Sequence, residues 1–350
     1  MDILGGIFRK IMVKITFILY EQCALSGVLS IKDAFIIANL WHLKIEGKNR
    51  DIESHADCNQ PLFITETASL DGKPINDNNG ITITPDKSLN SVQDTDLILI
   101  PAFIFSNEIK KESFTGILEW IIESYHKGVG VAALCTGTFI LAMTGLLDGK
   151  QATTNWQFIR RFKRNFPNVN LKPEKLLTVD SNLICSGAVT SIYHIALYII
   201  KKYGSEQLAS ICSKSFLIDS GRDSQLPYAT VDFNKNHGDK AVITAQHLME
   251  SRYQENFTID DLAKEIGLSP RHFNRRFKKA TGETPISYLQ QIRIEEAKKR
   301  LETTDDNINE IIWKTGYEDI STFRRLFKKN TSLSPKEYRK KFFVSLPPWG

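Results

Sequence analysis

The sequence predicts two parts of different class: an α/β N-terminal domain, a mostly parallel sheet with helices on both faces, and an all-α C-terminal domain. Three observations carry this. From residue 13 to about residue 203, apolar runs of strand length alternate with helical patterns, the arrangement of βα units. From residue 241 to 343 a two-helix pattern occurs twice. Charge divides at nearly the same place. Of 45 Lys and Arg and 40 Asp and Glu, residues 236–350 hold 21 and 16, leaving 24 of each in residues 1–235. The whole cationic excess therefore sits in the helical part, which points to a nucleic-acid partner there and not elsewhere.

In chain order, residues 13–20 are a continuous apolar run of buried-strand length. Residues 29–38 form the helix after it. Residues 81–84 alternate before Pro85 and read as a more peripheral strand. Residues 96–100 are a second buried strand, ending at Pro101. A helix over 116–126, a strand over 128–134 and a helix over 136–146 follow. A short strand at 183–185 and a long apolar helix at 190–202 close the domain.

The informative junction is Ala133-Leu134-Cys135-Thr136-Gly137. A nucleophilic residue stands between a buried strand and a helix, with glycine two residues on. That is the form of a nucleophile elbow, where the turn exposes the side chain and backbone N–H groups gather at the helix start. A helix N-terminus also lowers a thiol's pKa. A buried structural cysteine has the same local pattern, so the pattern alone leaves both readings open.

The duplicated pattern is more specific. Ile259, Leu262, Ala263 and Ile266 form one apolar stripe. Gly267 ends that helix through its left-handed conformation. Ser269-Pro270 caps the next one, which buries Phe273 and Phe277. Its other face carries Arg271, Asn274, Arg275 and Lys278. The second copy lies 49 residues on in its first helix (Gly267/Gly316) and 50 in its second (Phe273/Phe323, Phe277/Phe327). Asp319 is its N-cap, and Ser321, Thr322, Arg324, Arg325 and Lys328 lie on its front. Helix-turn-helix units place such a second helix in the DNA major groove, where arginine pairs with guanine and asparagine with adenine. A helical repeat with solvated basic faces explains one copy alone. Two copies, each with a glycine turn and a basic second helix, point to DNA.

Other classes are excluded by what the chain lacks. Its five cysteines form no CxxC pair and its seven histidines no HxxxH cluster, so neither a metal site nor a cofactor is expected. Free thiols suit a reducing cytoplasm. No apolar run approaches the ~20 residues of a membrane helix. Arg9 and Lys10 interrupt the apolar start, so residues 1–11 are not expected to be a signal peptide.

Residues 241–343 resemble the DNA-binding domain of the AraC family of bacterial transcription regulators over its whole length. The stretch from Ser269 to Gly282, the Gly316-Tyr317-Glu318 turn and the closing Ser334-Pro335-Lys336-Glu337-Tyr338-Arg339 carry the match. The resemblance implies two helix-turn-helix units joined by one long helix, here from Pro285 to about Glu302, entering successive major grooves. Residues 13–203 resemble the class I glutamine amidotransferase-like superfamily in its PfpI-like branch. Cys135-Thr136-Gly137, Ala152-Thr153-Thr154-Asn155-Trp156 and Ser186-Gly187-Ala188-Val189-Thr190 carry that match. One subgroup of AraC-type regulators has such a domain at its N-terminus, and residues 205–228 resemble its connecting segment. The implied division is a sensor domain at 13–205, a connecting segment at 206–240 and a DNA-binding domain at 241–343.

Departures from the second pattern bear on chemistry. Catalytic relatives usually have histidine where this chain has Asn155, and an amide cannot accept and return a proton. Pro101-Ala102-Phe103 stands where relatives usually have Pro-Gly-Gly, which removes a close backbone approach to an oxyanion. His126 and His194 are the substitute bases to consider. The expectation is a non-catalytic sensor binding a small-molecule effector near Cys135, Thr136, Asn155 and Trp156. A DNA-tethered amidohydrolase or glyoxalase-like enzyme using Cys135 is the alternative. Promoter DNA, a second copy of the chain in a homodimer, and RNA polymerase are the expected macromolecular partners.

Overall fold

Seven strands form the sheet of the N-terminal part: β1 (Val13–Leu19), β2 (Phe63–Ser69), β3 (Lys87–Ser88), β4 (Leu97–Ile100), β5 (Gly130–Ala133), β6 (Leu177–Asp180) and β7 (Leu183–Ser186). Their order is β6-β7-β5-β4-β1-β2-β3. Every pairing is parallel except the antiparallel β6–β7 edge. The computed structural model describes residues 12–48, 60–104, 111–219, 221–231 and 233–343. Residues 1–11 and Cys58 lie outside them. The chain divides into two compact units between Gln225 and Leu226.

β1 and β4 are almost wholly buried, as central parallel strands covered on both faces must be. β2 escapes the apolar-run criterion because it reads Phe-Ile-Thr-Glu-Thr-Ala-Ser. Its Glu66 accepts a hydrogen bond from Thr16 of β1 and pairs with Lys87 of β3 at 2.7 Å, so polar cross-strand pairs replace apolar ones near this edge. The alternating stretch at 81–84 contributes only Thr82–Ile83, in a separate ribbon with Ile75–Asn76.

Among the described residues, six α-helices complete this unit: α1 (Leu25–Lys48), α2 (Thr115–His126), α3 (Gly137–Met143), α4 (Ile159–Asn165), α5 (Ile192–Tyr203) and α6 (Glu206–Ser215). α1 runs well beyond the expected 29–38. α1, α5 and α6 pack on one another, and α2 packs on α3. The stretch 206–240, expected to connect two domains, is itself divided. α6 and the chain to Gln225 fold with the first unit, and residues from Leu226 fold with the second.

Among its described residues, seven α-helices build the second unit: α7 (Lys240–Ser251), α8 (Ile259–Glu265), α9 (Pro270–Thr281), α10 (Pro285–Thr303), α11 (Ile308–Lys314), α12 (Ile320–Thr331) and α13 (Pro335–Phe342). Side-chain caps start them where the sequence places Ser, Thr, Asp or Asn, including Thr258, Ser269, Thr284, Asp319 and Ser334. Two apolar clusters result. One gathers Phe273 and Phe277 with Tyr288 and Ile292, the other Phe323 and Phe327 with Ala297 and Leu301. α10 supplies residues to both, so a single helix of about 28 Å at 1.5 Å per residue carries the two cores.

Candidate nucleic-acid interface and elbow cleft

The turns of the two helix pairs are built alike. Gly267 and Gly316 have φ of +71° and +80°, the left-handed conformation that ends α8 and α11. A Cβ at Gly316 would also come within 2.6 Å of the Tyr253 carbonyl, so space as well as φ demands glycine there. Beyond each turn the paired phenylalanines point inward, with ring centres 5.5 Å apart in both α9 and α12. Tyr288 donates to Glu250 at 2.9 Å and its repeat counterpart Tyr338 to Glu302 at 2.6 Å, closing the back of each core.

With the phenylalanines buried, the opposite faces are open. Arg271, Asn274, Arg275, Lys278 and Lys279 are exposed on α9, and Ser321, Arg324, Arg325, Lys328 and Lys329 on α12. Thr322 is half-buried, and its backbone N–H donates to the Asp319 cap. The Asn274 amide donates back to the Pro270 carbonyl at 2.9 Å, a bond that a base edge would have to replace. Arg276 belongs to the structure instead. It pairs with Asp239, the cap of α7, and holds that carboxyl below its usual pKa. Ile320 packs against the second cluster.

In the N-terminal unit Cys135 follows β5 near the middle of the sheet, beyond the strand's carboxyl end, where open α/β sheets take ligands. Its φ of +52° marks a strained elbow. Hydrogen bonds hold the turn from three sides: its N–H donates to the Ser186 carbonyl at 3.0 Å, its carbonyl accepts from Thr154 Oγ1 at 2.9 Å, and Thr136 Oγ1 donates to the Phe103 carbonyl at 2.6 Å. Gly137 has no alternative, since a Cβ would lie 2.5 Å from the Pro101 carbonyl oxygen.

Two expectations for Cys135 are corrected. The side chain is not exposed by the turn, for the residue is only 4% accessible. Its pKa is raised, not lowered, because burial outweighs the donors that favour the thiolate. α3 is a helix of only seven residues, a weak opponent to that desolvation.

Cys135 and Asn155, twenty residues apart, do come together: the Asn155 side chain acts on the thiol, favouring the thiolate against burial. Its Oδ1 accepts the Gln157 N–H at 2.9 Å, so the amide oxygen is engaged within its own turn. Asn155 and Trp156 are half-buried, and Cys135 and Thr136 are buried. In the Pro101-Ala102-Phe103 loop the Phe103 N–H is spent on Thr136 Oγ1 and the Pro101 carbonyl on the Tyr20 hydroxyl. The two histidines lie elsewhere. His126 ends α2, ahead of β5, whereas Cys135 follows that strand. His194 on α5 faces the Asp219 carbonyl at 3.2 Å.

One residue of this site escaped the sequence reading. Gln225 is 1% accessible, and its amide donates to the carbonyls of Thr154 at 3.0 Å and Pro173 at 2.9 Å while its Oε1 accepts from the Trp156 N–H at 3.2 Å. It fixes the strip bearing Asn155 and Trp156 from a position 69 residues on in the chain. The only signal was the likeness of Arg222-Asp223-Ser224-Gln225 to a connecting segment.

Comparisons with known proteins agree with both halves. Residues 262–341 match a helix-turn-helix domain family and residues 62–202 the DJ-1/PfpI family. The HTH-type transcriptional regulator CdhR of Pseudomonas aeruginosa is 25% identical over 325 residues, which cover 92% of this chain and 90% of that protein. The HTH-type transcriptional regulator GbdR of the same species is 25% identical over 283 residues, covering 79% and 75%. A crystal structure of a proposed transcriptional regulator from Vibrio parahaemolyticus is 20% identical with a TM-score of 0.50, over 59% of this chain and 99% of that one, and has the fold of the N-terminal unit. Among the described residues no helix is long and apolar enough to cross a membrane. This chain is thus an AraC-type helix-turn-helix transcriptional regulator with an N-terminal DJ-1/PfpI domain.

Proposed function

We propose that the N-terminal unit is a non-catalytic sensor, and that a small metabolite bound there governs how the second unit engages promoter DNA. The observation that carries this is the residue that acts on the Cys135 thiol, Asn155, whose side chain favours the thiolate against burial but cannot accept and return a proton. Covalent chemistry needs a proton acceptor in that place. The metabolite settles beside Asn155 and Trp156, over Cys135 and Thr136. By favouring one arrangement of the protein over another, it shifts the population competent on DNA.

On DNA, Arg271, Asn274 and Arg275 of α9 and Ser321, Thr322 and Arg325 of α12 read base edges in successive major grooves. Lys278, Lys279, Arg324, Lys328 and Lys329 hold phosphates. The protein works in the bacterial cytoplasm as a homodimer and contacts RNA polymerase. Dimerisation is supported by α1, which is apolar on its outer as well as its inner side. Leu29, Ile36 and Leu40 are more than half exposed, around the exposed Asp33, while Val28, Ile31 and Phe35 are buried, and a row of exposed apolar side chains calls for cover.

The test combines two measurements on the purified protein. Genomic fragments retained by the protein identify its operator, and candidate metabolites of the neighbouring genes are then titrated. The sensor reading expects an effector that changes DNA affinity and protects Cys135 from alkylation. Steady turnover of small amides, peptides or 2-oxoaldehydes, lost in Cys135→Ala, would instead establish an enzyme.

A further inference from the structure

Among the described residues, Lys298 of α10 is the one buried lysine or arginine, at 5% accessible. An ammonium withdrawn from water is tolerated only where partners replace its hydration. Here Glu295, three residues earlier on α10, accepts from Nζ at 2.8 Å, and the Ala229 carbonyl accepts from it at 2.6 Å. Burial raises the pKa of the Glu295 carboxyl, while Lys298 and the Val231 backbone oppose that rise. Both members of the pair therefore act on the same stretch of chain, the one that enters the second unit at Leu226.

That stretch touches both helix-turn-helix halves. Its turn at Leu226–Tyr228 packs against α12, the second DNA-facing helix, and the Tyr228 ring meets Phe342 of the second cluster with centres 5.2 Å apart. Beyond Val231 the chain is anchored on the first cluster, where the Phe233 ring centre lies 5.0 Å from that of Tyr288. The Asn234 carbonyl accepts from the buried Gln246 at 3.1 Å, and Lys235 pairs with Glu250 at 2.6 Å. Between the turn on α12 and this anchor, Lys298 holds the backbone at Ala229. Upstream, the residue before the turn is Gln225, fixed on the strip bearing Asn155 and Trp156.

We propose that Lys298 is a positioning residue for DNA binding: it latches the strap Leu226–Val231 onto α10, and the latched strap holds α12 in its reading orientation. A buried ion pair adds little net stability, and its use here is to select one arrangement of the groups around it. With the latch open, Lys298 regains water and the turn at Leu226–Tyr228 leaves α12. The anchor at Phe233–Lys235 stays on the first cluster, so α9 keeps its support. The proposal rests on the DNA-binding function and is independent of any effector at the elbow.

The test uses the full chain carrying Lys298→Met with Glu295→Leu, which removes both charges together. Replacing a buried pair by apolar side chains of similar volume leaves stability nearly unchanged. Chymotrypsin cleavage after Tyr228, read by mass spectrometry, should rise about ten-fold, the weight of one hydrogen bond from a charged donor. Affinity for a retained genomic fragment should fall about five-fold or more. Footprint protection should weaken in the groove assigned to α12 and persist in the groove assigned to α9. Tyr228→Ala leaves the Lys298 pair intact and removes the ring against Phe342. It should weaken the same groove, and it covers the case in which the double variant fails to fold. Parent-like cleavage in the folded double variant overturns the latch. Raised cleavage with an unchanged footprint overturns the positioning role, as does equal loss in both grooves. Cleavage is read without DNA, so an absent latch and a wrongly assigned DNA face are told apart.

Discussion

The Arg293 guanidinium stands 5.4 Å from the centre of the Tyr317 ring, and its Nε donates to the Tyr253 carbonyl at 2.8 Å. One side chain of α10 thus ties the segment after α7, in the first helix-turn-helix half, to the glycine turn of the second. α10 contributes residues to both cores, and this contact adds a second link between the two halves. Arg293→Ala should destabilise the second unit by about 1.5–3 kcal/mol, the scale of hydrogen bonds from a charged donor. Arg293→Lys should not restore it, because an ammonium lacks the planar fork. Denaturant unfolding of the two variants beside the parent measures both effects. Equal stability in all three would assign the rigidity to α10 alone.

Phosphate contacts should make DNA binding fall steeply with salt, as each neutralised phosphate releases a counterion. Lys328 is exposed in the last turn of α12 with no part in its core. Lys328→Ala should weaken all sequences alike and reduce the slope of log affinity against log salt by roughly one. Affinity that barely changes between low and moderate salt would show the assigned face to be wrong.

Specificity should separate from affinity at Arg275. Arg275→Ala should cost about 1–3 kcal/mol and relax the preference at one base position. Arg325→Ala should do the same about one DNA turn, roughly 34 Å, away. Footprinting of both variants on a retained fragment reads this directly. A single protected groove per monomer would make the second pair structural only.

The thiol of Cys135 should react slowly at neutral pH. Burial raises its pKa, so less thiolate is present there than for a free cysteine, and alkylation should keep accelerating above pH 9. Asn155 opposes that shift by favouring the thiolate. Asn155→Ala should therefore move the alkylation profile to still higher pH. A profile moved to lower pH would mean that Asn155 does not stabilise the thiolate.

Gly137→Ala tests the elbow's geometry. The new Cβ would lie 2.5 Å from the Pro101 carbonyl oxygen, a backbone atom that cannot swing aside. Overpacking of this kind costs about 1–3 kcal/mol, and thermal unfolding of the first unit should register it while the second unit keeps its own transition. An unchanged first transition would mean that β4 and α3 separate without penalty.

The sequence by itself determined the duplicated DNA-binding pattern, because local signals specify every part of it. A cap, a glycine turn and two phenylalanines four apart recur 49 or 50 residues on, and each acts within a few residues. It also determined the parallel core strands and the junction at Cys135, through apolar runs that need no partner to be recognised. The polar strand β2 was not legible, since Thr16 and Lys87 make its Glu66 acceptable and both lie far away in the chain. Nor was the state of the thiol. A helix start predicts a low pKa, but burial is a property of everything folded around Cys135, and it decides the direction. Gln225 is the clearest case. Nothing near it in the chain marks a buried amide, because its partners at Thr154, Trp156 and Pro173 are 50 to 70 residues away and assemble only when the sheet and α6 are in place.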